Sequence, residues 1–307
     1  MKKTIALILV IALLSGCQFG LFQSKQTMRL PEVKVGVLGV ELSATSGSPP
    51  PEVYENSRFT MLTVLSNLGA SDVEDGAFSV SFEPQYVYLA RTQAQGRFAV
   101  RGKSEFNPQG QEKLISLQFD TKPLDPNIQG YTTTIAFNLC YPYQTNAPIT
   151  VCIDTDLTGK MPNKVCTPKP QVMMGGQGAP VAVAMIEPRM LPSDIPGRTI
   201  PEFVLTLKNL GKGEVLQKDK YIDACFGQSL GEGGWNVVDV SAALSEVLLK
   251  CTPETIKLKT QGDTKVVCRL EEGIDDRLGT YTAPLAVTVD YGYMTSMTKE
   301  VKILKQT

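Results

Sequence analysis

The chain has 307 residues, a net charge of −1, and 42% hydrophobic against 20% charged residues. That balance is typical of a folded globular chain, and nothing in it favours nucleic acid as a partner. There is no histidine at all. This removes Ser-His-Asp and Cys-His catalysis, histidine-ligated zinc or copper, and any histidine pH switch. No cofactor is expected.

The N-terminus reads as a targeting segment. Lys2 and Lys3 precede an apolar run of eleven residues, Thr4 to Leu14. Such a run is too short to cross a ~30 Å hydrocarbon core as a helix. It ends in Leu14-Ser15-Gly16-Cys17, which resembles the lipobox of prokaryotic lipoproteins. The resemblance implies a signal peptide over residues 1–16, lipidation at Cys17 and a tether over 17–30. The chain is then expected outside the cytoplasm, at the cell surface or in the periplasm, held to a membrane through the lipid on Cys17.

Further along, the dominant period is two. Thr60 to Leu65, Phe78 to Phe82, Leu114 to Phe119 and Ala286 to Val289 read as short half-buried strands separated by Gly, Pro and Asn clusters. Val238 to Leu249 has helical spacing, with Val240, Leu244, Val247 and Leu248 three or four apart. Many short strands with turn signals between them predict an all-β sandwich or barrel.

An internal repeat sharpens this. Tyr131 to Ile153 aligns without a gap on Tyr281 to Ile303, an offset of 150. Tyr131, Thr132, Ala136, Tyr141, Tyr143, Thr145, Val151 and Ile153 recur as identical residues. Each copy reads as a strand, a Tyr-x-Tyr, a short turn and a second strand, the closing hairpin of a sandwich. Upstream, Asn67-Leu68-Gly69 parallels Asn209-Leu210-Gly211 at an offset of 142. Gln109-Gly110 before Lys113 similarly parallels Gln261-Gly262 before Lys265. Three landmarks in one order predict a duplicated domain: copy one over 31–170, a Gly-rich linker over 171–180 and copy two over 181–307.

A strand ending in Asn-Leu-Gly, followed by a late Tyr-x-Tyr strand, resembles the CARDB-type and related immunoglobulin-like domains of prokaryotic surface proteins. The resemblance implies two tandem immunoglobulin-like β-sandwiches and a role in adhesion, spacing or ligand display. It implies no catalytic residue.

Candidate sites are few. After Cys17, six cysteines remain: Cys140, Cys152, Cys166, Cys225, Cys251 and Cys268. An even number in a secreted chain predicts disulfides. Thr158-Gly159 lies midway between Cys152 and Cys166, so a turn there sets those two opposite one another. A turn near Asn146 would instead oppose Cys140 and Cys152. Among Cys225, Cys251 and Cys268 the sequence does not choose. If bridges stay local, one cysteine is left over in each copy, and a bridge between copies is open to Cys140 or Cys166.

Asp154-Thr155-Asp156-Leu157-Thr158 follows a strand and resembles the nucleophile motif of the haloacid-dehalogenase phosphotransferases. That resemblance implies a nucleophilic Asp154 and an acid/base Asp156. It also requires Mg²⁺, a lysine and a doubly wound α/β fold, whose alternating helices this sequence lacks. Asp154 and Asp156 also open like a calcium loop, but Val165 stands where the bidentate glutamate belongs, leaving a surface calcium site at most. Trp235 is the sole tryptophan. It sits in a Gly-rich loop, where it either stacks on a sugar or covers a domain edge. The Asn-Leu-Gly pairs read as turns through positive φ. One tyrosine of each Tyr-x-Tyr is expected to bond backbone through its hydroxyl.

With no convergent acid, base and nucleophile, the expectation is a non-catalytic, lipid-anchored envelope protein that binds, spaces or displays other surface components, with an envelope or surface protein as partner. The alternatives are a carbohydrate-binding module using Trp235 and, behind it, a phosphotransferase or hydrolase using Asp154 and Asp156.

Overall fold

Strand periodicity governs nearly all of the described chain. The structure, a computed structural model, describes residues 34–231 and 233–306. The expected signal peptide 1–16, Cys17 and the tether 17–30 lie outside the described residues.

The first half contains β1 (Val40–Ala44), β2 (Glu52–Tyr54), β3 (Arg58–Asn67), β4 (Val73–Phe82), β5 (Val87–Leu89), β6 (Gln95–Val100), β7 (Glu112–Thr121) and β8 (Gly130–Asp154). The second contains β9 (Gln171–Val172), β10 (Val181–Pro192), β11 (Arg198–Asn209), β12 (Glu214–Leu216), a five-residue helix α1 (Tyr221–Cys225), β13 (Val237–Leu244), β14 (Val247–Thr252), β15 (Thr255–Lys257), β16 (Thr264–Arg269), β17 (Ile274–Asp275) and β18 (Thr280–Leu304).

The organising feature is the pair β8 and β18. Each is 25 residues long, and they run antiparallel in unbroken register from Gly130↔Leu304 to Asp154↔Thr280. The expected Tyr-x-Tyr hairpins are absent. Neither strand turns back near Asn146 or its counterpart. Each continues straight through the tyrosines into the other half. The physical reason lies in the alternation: Tyr141, Tyr143, Thr145 and Ala147 are all buried on one face, so the period of two never breaks. A turn there would expose residues that the core requires.

Two smaller sheets pack on this buried face. In the first half β1, β3, β7 and β5 pair in that order. They face β6, β4 and the first part of β8, with Phe119 of β7 edge-on to Phe82 of β4 at 5.6 Å. In the second half β9, β10, β11, β16 and β14 lie side by side. They face β13 and the other ends of β18 and β8, and β14 pairs with both β13 and β16, joining the two layers. The first sandwich is completed by the end of β18, and the second by the end of β8. The two sandwiches share one continuous sheet.

The helical expectation for Val238 to Leu249 is corrected. These residues form the β13–β14 hairpin, whose two turn residues, Ser245 and Glu246, have φ of 47° and 71°. Positive φ at both central positions marks the tight hairpin turn normally made by Asn-Gly. The helical spacing arose because apolar residues of two different strands were counted as one series.

Candidate functional site

Four tyrosines occupy the crossing point of the long strands. Tyr141 pairs with Tyr293 and Tyr143 with Tyr291, on either side of Pro142↔Gly292. All four are buried, with neighbouring ring centroids 5.5–6.3 Å apart. Their hydroxyls do matching work in the two halves. The Tyr141 hydroxyl accepts from the Val40 N–H at 2.9 Å, and the Tyr291 hydroxyl accepts from the Val181 N–H at 3.3 Å. These pin the first residues of β1 and β10. The Tyr143 hydroxyl accepts from the Ser71 N–H and meets Asn67 Oδ1, both at 3.3 Å. The Tyr293 hydroxyl accepts from the Gly213 N–H at 2.8 Å and meets Asn209 Oδ1 at 3.4 Å. Burial makes the Tyr141 and Tyr291 phenols far weaker acids than usual and pushes the Tyr293 pKa up to about 12, so these hydroxyls stay protonated.

This explains the repeated Asn-Leu-Gly. Asn67 and Asn209 each accept from the glycine N–H two residues on, at 3.2 and 3.1 Å. Each also donates to the carbonyl four residues on, at 2.9 Å. The positive-φ expectation is corrected, since neither the asparagines nor the glycines are among the left-handed residues. Glycine is required for space. A Cβ on Gly69 would sit 1.9 Å from the Tyr143 hydroxyl, and one on Gly211 would sit 2.2 Å from that of Tyr293. All four tyrosines bond backbone, where one per pair was expected. Together these residues brace the crossing of the two long strands.

Asp154 and Asp156 lie at the far end of β8, in a loop closed by the Cys152–Cys166 disulfide (Cα–Cα 5.9 Å). Asp154 accepts from Lys164 Nζ at 2.6 Å and from the Asp156 N–H at 3.0 Å. Asp156 accepts from the Met161 N–H at 2.8 Å, the Lys160 N–H at 3.0 Å and the Thr158 hydroxyl at 3.2 Å. The Met161 N–H above all, with Lys160 N–H and the Lys164 ammonium, holds the Asp156 carboxyl down at about 2 against partial burial. Both carboxylates serve their own loop. Among the described residues no three Asp, Glu or Cys side chains converge to hold a metal ion.

Cys251 and Cys268, cross-strand neighbours on β14 and β16, form a second disulfide. Cys140 and Cys225 are buried free thiols. The Cys140–Cys152 alternative is not formed, because eleven residues of one extended strand lie between the two.

Trp235 is half-buried, bridged to Leu216 and packed against the buried cluster that contains Leu216, Tyr221 and Cys225. It also lines an open groove of about 480 Å³ with Lys208, Asn209, Glu214 and Lys259. A larger surface cleft of about 870 Å³ carries Asp72, Glu74, Asp75, Lys103, Lys218 and Asp290. The sequence reading missed it. Its only sequence signal was the acidic Asp72-Val73-Glu74-Asp75 run; Lys218 and Asp290 are added from the other half.

A scan against protein-family models finds no match, and neither does a search of curated proteins. Among solved structures, the chain matches the secreted serine protease VesC from Vibrio cholerae at 9% identity and a TM-score of 0.22. That match covers 83% of this chain and 51% of the other, so the chain spans about half the protease's length. It also matches a DUF4466 family protein from Parabacteroides merdae at 9% identity, over 82% and 99% of the two chains, with a TM-score of 0.16. A third match is the serine-rich repeat adhesion glycoprotein Srr1 from Streptococcus agalactiae, at 10% identity over 90% and 98%, with a TM-score of 0.16.

Proposed function

We propose that this is a non-catalytic, lipid-anchored envelope protein that holds or displays other surface components on a stiff double β-sandwich. Each sandwich is read as immunoglobulin-like, with a sheet ordered β1-β3-β7-β5 in the first half and β10-β11-β16-β14 in the second, each facing the shared sheet. The observation that carries the reading is the strand exchange. Two continuous 25-residue strands cross both halves, so the pair resists the hinge bending that a flexible linker permits. A fixed spacing between two ends suits a spacer or display body, and its surface loops are free to vary for recognition. The engagement of Asp154 and Asp156 with their own loop, and the lack of histidine, weigh against hydrolysis.

Cross-linking on intact cells followed by pull-down tests the function. A reproducible envelope-protein partner supports it. A phosphatase activity lost in Asp154→Asn overturns it. Mass spectrometry of the mature N-terminus tests the anchor: a diacylated Cys17 is expected, and an unmodified N-terminus beyond Cys17 refutes it.

A second reading, carbohydrate binding, is favoured by the placement of half-exposed Trp235 beside Asn209 and Lys259 in one groove. Titration with soluble cell-wall oligosaccharides tests it. A saturable change in tryptophan fluorescence that vanishes in Lys259→Ala is the supporting result.

A further inference from the structure

The shared sheet has two faces. Its inner face carries the tyrosines and the two smaller sheets. Its outer face is polar, with Asn138 bonded to Ser296 at 2.8 Å and Gln144 to Asp290 at 3.1 Å. One patch of that face is covered. The stretch from β12 to Trp235, which separates Asn-Leu-Gly from the next strand only in the second half, folds back over the first half there. The Tyr221 hydroxyl donates to the Asp75 carbonyl at 2.7 Å, and Ser79 Oγ donates to the Cys225 carbonyl at 2.5 Å. Gly292 leaves room for the segment, since a Cβ there would lie 3.1 Å from the Gln217 carbonyl and from Leu216 Cβ.

Beneath this segment lie Cys140 of β8 and Cys225 at the end of α1, both within 2% of full burial. Both belong to one buried cluster with Ala77, Leu216 and Tyr221. Cys225 Sγ also reaches the carbonyl of Ala77, the cross-strand partner of Cys140, at 3.3 Å. The repeat equivalent of Cys140 is Asp290, so a thiol stands at this outer-face position only where α1 covers it.

We infer that Cys140 and Cys225 are joined in the mature protein by a third disulfide, which staples the outer-face segment of the second half onto the long strand of the first. This rests on the extracytoplasmic reading, since such bonds persist in oxidising compartments. The electrons go to a disulfide donor of that compartment. Cys225 thiolate attacks the donor's S–S bond, forming a mixed disulfide and releasing one donor thiol. Cys140 thiolate then attacks the Cys225 sulfur, closing the intramolecular bond and releasing the second. Two cysteine protons are given up, and the donor ends as two thiols. The Cys225 thiol alongside, together with burial, pushes the Cys140 thiol up. Buried beneath α1, the finished bond is shielded from reductant. It also fixes the segment that carries Trp235.

The test uses full-length protein from the envelope of its own host, denatured in N-ethylmaleimide without reductant, digested and mapped by mass spectrometry. The expected result is a linked peptide pair containing Cys140 and Cys225, with neither residue alkylated. In Cys225→Ser, Cys140 then takes up the maleimide. Quantitative alkylation of both cysteines, with Cys152–Cys166 and Cys251–Cys268 intact, overturns the staple and leaves the location reading standing. Alkylation of all six overturns both.

Discussion

The two halves of the molecule agree at the waist and disagree at the periphery. At the waist, tyrosine, asparagine and glycine repeat with the same bonds: Tyr143 with Asn67 and Gly69, and Tyr293 with Asn209 and Gly211. At the periphery, the first half adds β5 and β6 as edge strands. The second adds the α1 segment and a disulfide within one sheet. What is shared is what exchange demands, because a strand that leaves its own sandwich must be gripped where it crosses. Both surface hollows border the waist: the cleft is lined by Tyr143 and Gln144, and the Trp235 groove by Asn209 and Gly211.

The sharpest way to break this comparison is to fill the glycines. In Gly69→Ala the new Cβ meets the Tyr143 hydroxyl and two backbone carbonyls, Leu38 and Gly178, at 2.5 and 2.6 Å. Backbone cannot yield as a side-chain tip can, so a loss of about 3 kcal/mol or more is expected in chemical denaturation. Gly159→Ala is the control. Its Cβ meets nothing within 4 Å, and its φ of 68° alone should cost about 1–2 kcal/mol. Equal losses would mean that the waist is not tightly gripped.

Removing single hydroxyls compares the halves directly. Tyr141→Phe strands the buried Val40 N–H and Tyr291→Phe the buried Val181 N–H. Each should lose about 1–3 kcal/mol. Matching losses support equivalent roles, and a loss confined to one half contradicts them.

The smallest effect concerns pH. Asp156 is held at about 2 in the folded chain against an ordinary 3.8. A depressed carboxyl adds stability that is fully present above the ordinary value and disappears as pH falls from about 4 to about 2. Amide exchange at Lys160 and Met161 should therefore quicken through that window, while exchange at the tyrosines stays slow. An unchanged loop at pH 2 would contradict the assignment.

Much of this was legible in the sequence. The β-rich fold follows from alternation, a local signal, and spacing offered Cys152–Cys166 as one of two pairings, the one that is formed. The strand exchange was missed because Gln144-Thr145-Asn146 is polar and suggests a turn. The contrary signal was the unbroken run of buried positions at Tyr141, Tyr143, Thr145 and Ala147. The β13–β14 turn was missed because Ser245-Glu246 lacks the glycine or asparagine that usually marks positive φ. The meeting of Cys140 with Cys225 depends on which face each strand presents and on where an insertion folds back, and neither is a local property.

The most direct test of strand exchange is a distance. Thr134 and Thr150 are exposed and lie sixteen residues apart on β8. Spin labels at these sites should give an electron–electron dipolar distance of about 50 Å if the strand is continuous, from a rise of ~3.3 Å per residue. A strand that turned near Asn146 would fold residue 150 back beside residue 142 and shorten the distance to roughly 30 Å or less. The longer value is predicted, and the shorter one would contradict the strand exchange and the proposal built on it.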